Sequence, residues 1–235
     1  MSTMIDKREL VIPGQLLADG DYIPGDNTYK SDKKIYASKL GLFDIHNKRI
    51  TIVPIKSCYV PKIGDYVIGR VTSSEVFGWL LDINSPYPAL LQSSDLSGGR
   101  YRDREMSGNS KLVVGDLVRA KIAVYDRTRD PLLTTKEEGD RARVLLGKII
   151  SGKIIKISPA KIPRLIGKEG SMISMLKKET SCQIFAGRNG IIHIASQDER
   201  NENLASWAIK KIDREAHTSG LTDRLFEEIK KRKGN

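Results

Sequence analysis

The chain has 235 residues, of which 39% are hydrophobic and 29% charged, enough for one large domain or two to three small ones. No apolar run approaches the roughly 18 residues of a membrane-spanning helix. The charged start MSTMIDKREL lacks the apolar centre of a signal peptide, so a cytoplasmic protein is expected. Cys58 and Cys182 stand far apart with no CxxC partner, which excludes a disulfide framework and a thiolate zinc site.

The formal net charge is +11, from 40 Lys+Arg against 29 Asp+Glu. Residues 147–235 hold 18 of the basic and 10 of the acidic residues, so +8 of the excess lies in the last third. Gly147 to Lys168 alone carries Lys148, Lys153, Lys156, Lys161, Arg164 and Lys168 with no acidic residue. A polyanion is the expected partner, met by the C-terminal part of the chain. The run Lys230–Lys233 reads more simply as a solvated tail.

In chain order, residues 1–60 carry two Pro-Gly turns, Pro13-Gly14 and Pro24-Gly25. They also carry β-rich runs at Lys34–Leu42 and Arg49–Ile55 around the turn His46-Asn47-Lys48, which predicts a small domain of hairpins. Residues 61–146 repeat one phrase, at Gly64-Asp65-Tyr66-Val67 and again at Gly115-Asp116-Leu117-Val118. Each places a tight turn before a strand that alternates apolar and polar residues, as a small barrel requires. With Val76–Ile83 and Ala89–Leu96 between them, a five-stranded OB-type β-barrel is the simplest fit. A Gly/Arg-rich loop, Ser97–Ser110, interrupts it and carries Arg100, Arg102 and Arg104, a cationic stretch suited to non-specific contact with nucleic acid or to plain solvation.

Residues 147–235 change period. Lys153–Ile157 alternates, Met172, Ile173 and Leu176 have helical spacing, and Ile184-Phe185 with Ile191–Ile194 flank the turn Gly187-Arg188-Asn189-Gly190. Ser158-Pro159 predicts a helix start, and Pro163 keeps that helix short. Ser196 with Glu199 predicts a capping box before a helix bearing Leu204, Ala208, Ile212 and Ala216. A last amphipathic segment carries Leu221, Leu225 and Ile229. The order is β, α, α, β, β, α with a helical extension, and the whole chain is a multidomain β plus α+β protein.

The chemistry centres on Ile166-Gly167-Lys168-Glu169-Gly170-Ser171 between the two short helices. Glycines let the backbone approach a phosphate closely, and the helix that follows presents unpaired N–H groups and partial positive charge. GxxG alone is weak and is also an ordinary helix-to-helix turn, but in this βααββα order it resembles the KH domain, whose loop clamps single-stranded nucleic acid. The resemblance implies that Gly167, Lys168, Glu169 and Gly170 form the clamp, with Lys161 and Arg164 contributing charge. Ile162, Leu165, Ile166 and Ile173 would line the base groove or pack beneath it.

The middle segment is similar to the OB-fold RNA-binding domain named after the largest small-subunit ribosomal protein. Phe77 stands at that family's first stacking position, while Leu80 and Gln92 occupy the positions of its second aromatic and its histidine. Trp79 and Tyr87 are further aromatics that would add to the platform, although an aromatic on a barrel strand is more often core than contact. Together with Val11-Ile12-Pro13-Gly14 and the GRNG turn, the order of three domains resembles the exosome cap subunits of the ribosomal-RNA-processing protein four family, and the intact GxxG their archaeal branch. The resemblance implies a non-catalytic, cofactor-free cap that binds single-stranded RNA. Three such caps would sit on a hexameric ring of RNase-PH-like subunits and thread RNA toward phosphorolytic 3′-to-5′ degradation. The N-terminal domain would dock on the ring, and Gly187, Asn189 and Gly190 would pack the KH and OB domains together.

Two other readings stand beside it. One is a free-standing OB/KH factor in transcription or translation. The other is an enzyme using carboxylates such as Asp82, Asp126 and Asp130, although His46, His193 and His217 show no metal-ligand spacing and read as surface or hairpin residues.

Overall fold

The computed structural model of the protein describes residues 5–55, 58–96, 112–126, 128–136, 146–216, 218 and 220–233. The chain divides into a unit Met1–Ser57 and a unit Cys58–Asn235. In the first, β1 (Leu10–Val11), β6 (Gly41–His46), β7 (Arg49–Pro54) and β3 (Ile23–Pro24) form one sheet in that order. Strands β2 (Leu16–Asp19), β5 (Lys34–Ala37) and β4 (Thr28–Ser31) form another. Alternation along β5, β6 and β7 buries Ile35, Phe43, Ile50 and Ile52 with Val11 and Leu17. Asn47 and Lys48, both at positive φ, close the β6–β7 hairpin with the twist that type I′ turns supply. The β-rich run Lys34–Leu42 is divided between two strands, β5 and β6. The chain leaves one sheet after Ala37 and joins the other at Gly41, and Ser38 turns aside to donate its N–H to Asn27.

The second unit opens with β8 (Tyr66–Glu75), β9 (Gly78–Asp82), β10 (Ala89–Gln92) and a one-turn helix α1 (Ser93–Leu96). Then come β11 (Leu117–Val124), β12 (Leu132–Thr134) and β13 (Gly147–Lys148). The order β12-β10-β9-β8-β11, with β12 also paired to β11, closes a five-stranded barrel. The repeated Gly-Asp phrase has a structural purpose. Strands β8 and β11 are antiparallel neighbours, and each turn ties off one end of their ladder. Gly64 donates to Ile122 while Ile122 donates to Asp65, and Gly115 donates to Val71 while Val71 donates to Asp116. Val67, Val71, Leu81, Leu91, Val118, Ile122 and Leu133 fill the interior.

Gly147 and Lys148, which the sequence places at the head of the third domain, pair with Val118 and Arg119 of the barrel. Lys148 Nζ lies 2.7 Å from Asp116 Oδ2. Burial alone would raise the Asp116 pKa, but Lys148 and the Val113 N–H hold it below the usual carboxylate range.

The remainder is β14 (Lys153–Lys156), a 3-10 turn at Pro159–Lys161, α2 (Ile162–Ile166), a second 3-10 turn at Lys168–Gly170 and α3 (Ser171–Thr180). It continues through β15 (Gln183–Ala186), β16 (Ile191–Ala195), α4 (Glu199–Glu215) and α5 (Leu221–Lys233). The sheet order is β14-β16-β15, all antiparallel, and Ile155, Ile184, Ile192 and Ile194 pack with Leu176, Ile209, Ile212 and Leu225. The N-cap of α4 is Asp198, whose Oδ1 accepts from the Arg200 N–H at 2.8 Å. The expected box at Ser196 and Glu199 is displaced because the helix begins only at Glu199. Glu202 reaches back to the Ser196 N–H, and Glu199 pairs with Lys153 instead.

Helix α5 returns along α4. Leu221, Leu225 and Ile229 are fully buried, Lys211 bridges to Glu228 at 2.5 Å, and Arg232 lies 4.1 Å from the centre of the Trp207 ring.

Candidate nucleic-acid interface

Helix α2 lasts only five residues because Pro163 stands in its first turn, where its missing N–H costs nothing, and Gly167 at φ 77° ends it. The loop then turns through Glu169 at φ 53° and Gly170 at φ 82° into α3. A Cβ on Gly167 would collide with the Met172 backbone nitrogen, so the first glycine is required by close approach as well as by conformation. Lys168 and Glu169 stand exposed at the tip, just ahead of the N-terminus of α3, where unpaired N–H groups and about half a positive charge favour an anion.

The residues around the loop divide into two groups. Ile162 and Leu165 have no exposed surface and belong to the core beneath it. Ile166 and Ile173 are half-buried at its margin and are the two apolar residues left to line a groove. Arg164 is half-buried beside them, and its Nε is buried without a hydrogen-bond partner. Lys161, singled out with it, is already engaged: its Nζ lies 3.3 Å from Asp213 Oδ1 and also donates to the Asp213 carbonyl. That charge is spent on holding the 3-10 turn against α4.

Phe77 occupies the turn between β8 and β9 and is 81% exposed, with Val76 beside it at 89%. Phe77 thus leaves an aromatic ring open to solvent at a barrel turn, where base stacking would need one. Trp79 resolves as core: it is 7% exposed and its Nε1 donates to the Leu112 carbonyl at 3.0 Å. Tyr87 remains 40% exposed, its ring tilted against Tyr125 with centroids 5.8 Å apart. Arg100, Arg102 and Arg104 lie outside the described residues. Among the described residues no group of His, Cys, Asp or Glu could hold a metal ion. Asp82 accepts from the Asn84 N–H, and Asp126 holds Thr128 and Arg129.

The barrel and the βααββα domain are joined through the GRNG turn. Strand β9 pairs with β8 only from Asp82 and Arg70 onward, so the Ile68 backbone has no strand partner on that side. Asn189, fully buried, fills the gap. Its Nδ2 donates to the carbonyls of Ile68 at 2.7 Å and Ile83 at 2.8 Å, and its Oδ1 accepts from the Ile68 N–H at 3.4 Å. Beside it the Arg188 N–H donates to Tyr66, and Asn84 Nδ2 donates to the Asn189 carbonyl at 2.6 Å. A Cβ on Gly187 would strike the Asn189 amide and approach the Ile68 nitrogen, which is why a glycine stands there.

Tyr66 meets Phe185 edge-on, Arg119 covers the Phe185 ring and Lys121 the Tyr66 ring, both at 5.9 Å.

His193 is the seam residue that sequence reasoning missed. It is 5% exposed, and Nε2 contacts the Ser151 carbonyl at 2.7 Å. Burial pushes its pKa below the usual value, and the Arg119 charge acts in the same direction, against the Ser151 carbonyl and Glu202. The available signal was alternation: Ile192 and Ile194 face the helices, so residue 193 must face the other way, toward a side covered here by the rest of the second unit.

This combination of a β domain, an OB barrel and a KH fold with an intact, exposed GxxG loop defines a modular OB-plus-KH protein. Residues 8–56 match the family described as "Exosome RNA binding protein RRP4 N-terminal domain", residues 58–123 "RRP4, S1 domain" and residues 152–200 "KH domain". The protein is similar to the exosome complex component Rrp4 of Methanothermobacter thermautotrophicus, 42% identical over 95% of this chain and 68% of the relative. The Rrp4 of Nitrosopumilus maritimus is 38% identical over 97% of this chain and 99% of its own. A crystal structure assigned to an exosome complex RNA-binding protein aligns at a TM-score of 0.64 and 45% identity, over 75% of this chain and 98% of its own. The chain belongs to the Rrp4 family of exosome complex components.

Proposed function

We propose that the protein is the RNA-capturing cap subunit of an archaeal exosome and performs no chemistry itself. The observation that carries this reading is the GxxG loop. It is held open by two glycines at positive φ, ends on a helix N-terminus and presents Lys168 outward, features that support the reading of a phosphate clamp. Phe77 and Val76 offer a stacking platform on the barrel, so one single strand could be held by its backbone at one domain and by its bases at the other.

Three copies would cap a hexameric RNase-PH-like ring in the cytoplasm, docking through the N-terminal β domain, whose charge of 9 basic against 7 acidic residues suits protein contact better than RNA. The clamp, the platform and the basic C-terminal third would deliver RNA to the ring, where the phosphorolytic chemistry resides. Support for a role in binding alone comes from the family membership and from carboxylates that are engaged in local turns rather than gathered at a site.

Affinity purification of the tagged protein from archaeal lysate, read by mass spectrometry, tests the assignment. RNase-PH-like subunits should co-purify at comparable abundance. A monomer that co-purifies instead with ribosomes or RNA polymerase would identify a free-standing OB/KH factor.

A further inference from the structure

The clamp lies at the N-terminal end of α3, and a second concentration of positive charge lies at the opposite end. Lys177 and Lys178 are exposed in the last turn of α3, and Lys230, Lys231, Arg232 and Lys233 are exposed in the last turn of α5. The two helix ends are neighbours, because Lys233 Nζ donates to the Glu179 carbonyl at 2.9 Å.

Cations at a helix C-terminus are ordinary, since each end carries about half a negative charge. That explanation covers too little here. Two helix ends supply about one negative charge, and Glu179 and Glu227 supply two more, which against six cations leaves about three positive charges uncompensated. Glu228, the other carboxylate of the last two turns, points to Lys211 instead. Elsewhere in the domain Lys153, Lys161 and Lys211 are each paired with a carboxylate. Among the described residues none of the six is. Their partners are the Trp207 and Phe226 rings, each 4.1 Å from Arg232 and Lys230 respectively, and one carbonyl, contacts that orient a cation without neutralising it.

We infer that Lys177, Lys178 and Lys230–Lys233 form a second phosphate-binding surface, which takes the backbone of the same RNA strand that the GxxG loop holds. It rests on the reading of that loop as an RNA clamp. Helix α3 has ten residues and is therefore about 15 Å long, a distance that about four further nucleotides cover at a stacked rise of 3.4 Å. A strand longer than the clamp alone requires would thus lie along α3 with its phosphates over both ends. Trp207 and Phe226, the aromatics described at this surface, are half-buried and covered by Arg232 and Lys230, so it would guide a strand without reading its sequence.

The test compares the full-length protein with the variant Lys177→Gln/Lys178→Gln/Lys230→Gln/Lys231→Gln, in which glutamine keeps helix propensity and Arg232 and Lys233 keep their packing. Fluorescence anisotropy is read with oligouridylate of about four nucleotides, matched to a KH clamp, and of about ten. Each phosphate contact on a single strand contributes about 0.7 to the slope of log affinity against log salt, so losing three removes about two from that slope. Between 50 and 200 mM salt, the wild type should lose about twenty-fold more affinity for the longer RNA than the variant does. The short RNA should bind both proteins alike, and the four Lys→Arg substitutions should restore the wild-type slope.

An unchanged slope for the longer RNA overturns the inference and leaves the clamp standing, which would free the patch for an acidic protein segment. An equal loss for both lengths also overturns it, because the patch would then act only on overall potential. Wild-type protein that binds neither RNA overturns the clamp and this surface together.

Discussion

Replacing Asn189 by alanine should weaken the joint between the barrel and the KH domain more than any other single side-chain change at that joint. The side chain is fully buried and satisfies three main-chain groups of the barrel: two carbonyls at 2.7 and 2.8 Å and one N–H at the longer distance of 3.4 Å. Each buried group left unpaired costs about 1–3 kcal/mol. With the long third bond discounted, the two remaining groups give a loss of about 2–6 kcal/mol, a large share of the roughly 5–15 kcal/mol that stabilises a typical domain. Asn189→Asp should be worse than alanine, because it turns a carboxylate oxygen toward carbonyls that need a donor. Arg188→Ala is the control: its side chain is exposed and its hydrogen bond to the barrel is made by its backbone N–H, so it should change stability by no more than about 0.5 kcal/mol. Urea titration followed by tryptophan fluorescence, with Trp79 in the barrel and Trp207 in the KH domain, reports both sides of the joint. A loss below about 0.5 kcal/mol for Asn189→Ala, or an aspartate variant no worse than alanine, would refute the account of that seam.

Three further outcomes are expected. Phe77→Ala removes an 81% exposed ring, so stability should stay within about 0.5 kcal/mol while affinity for single-stranded RNA falls by about 1–3 kcal/mol for the lost stack; equal affinity by filter binding would remove the barrel platform from the reading. Lys168→Asp/Glu169→Asp sets two carboxylates against the incoming phosphate at an exposed tip. RNA affinity should drop at least ten-fold with an unchanged melting temperature, and retained affinity would sink the clamp. His193 has a folded-state pKa below its unfolded value, so the unfolded chain takes up the proton first as pH falls. Its contribution to stability is complete above about pH 6.5 and declines below it by at most about 1.4 kcal/mol per pH unit, until the folded protein is also protonated. Denaturation midpoints measured from pH 7.5 down to 5 should show this slope in the wild type and a smaller one in His193→Gln.

The parts of the site that rest on local chemistry were legible in the sequence. Glycine spacing announced the loop at Gly167–Gly170, a change of period announced the βααββα order, and the two Gly-Asp phrases announced the barrel. Contacts between distant residues were not legible. Lys161 counts as a free cation until the fold brings Asp213 against it, 52 positions away. The amide of Asn189 has no visible purpose until Ile68, 121 positions earlier, is left without a strand partner. The same holds for the tail: Lys230–Lys233 reads as solvated charge in one dimension and becomes a surface only when α5 folds back to set it beside Lys177 and Lys178. Side-chain preference also misplaced the cap of α4, since both Ser196 and Asp198 suit an N-cap and only the fold decides which of them precedes the first helical turn.

The central claim is that this chain captures RNA and leaves the chemistry to its partners. Incubating end-labelled single-stranded RNA with inorganic phosphate and Mg²⁺, in the presence of the protein alone, the RNase-PH-like ring alone, or both, tests it most directly. RNA should stay intact with the protein alone, and the ring's apparent KM for RNA should fall when the protein is added. Degradation by the protein alone, or a ring whose KM for RNA is indifferent to its presence, would contradict it.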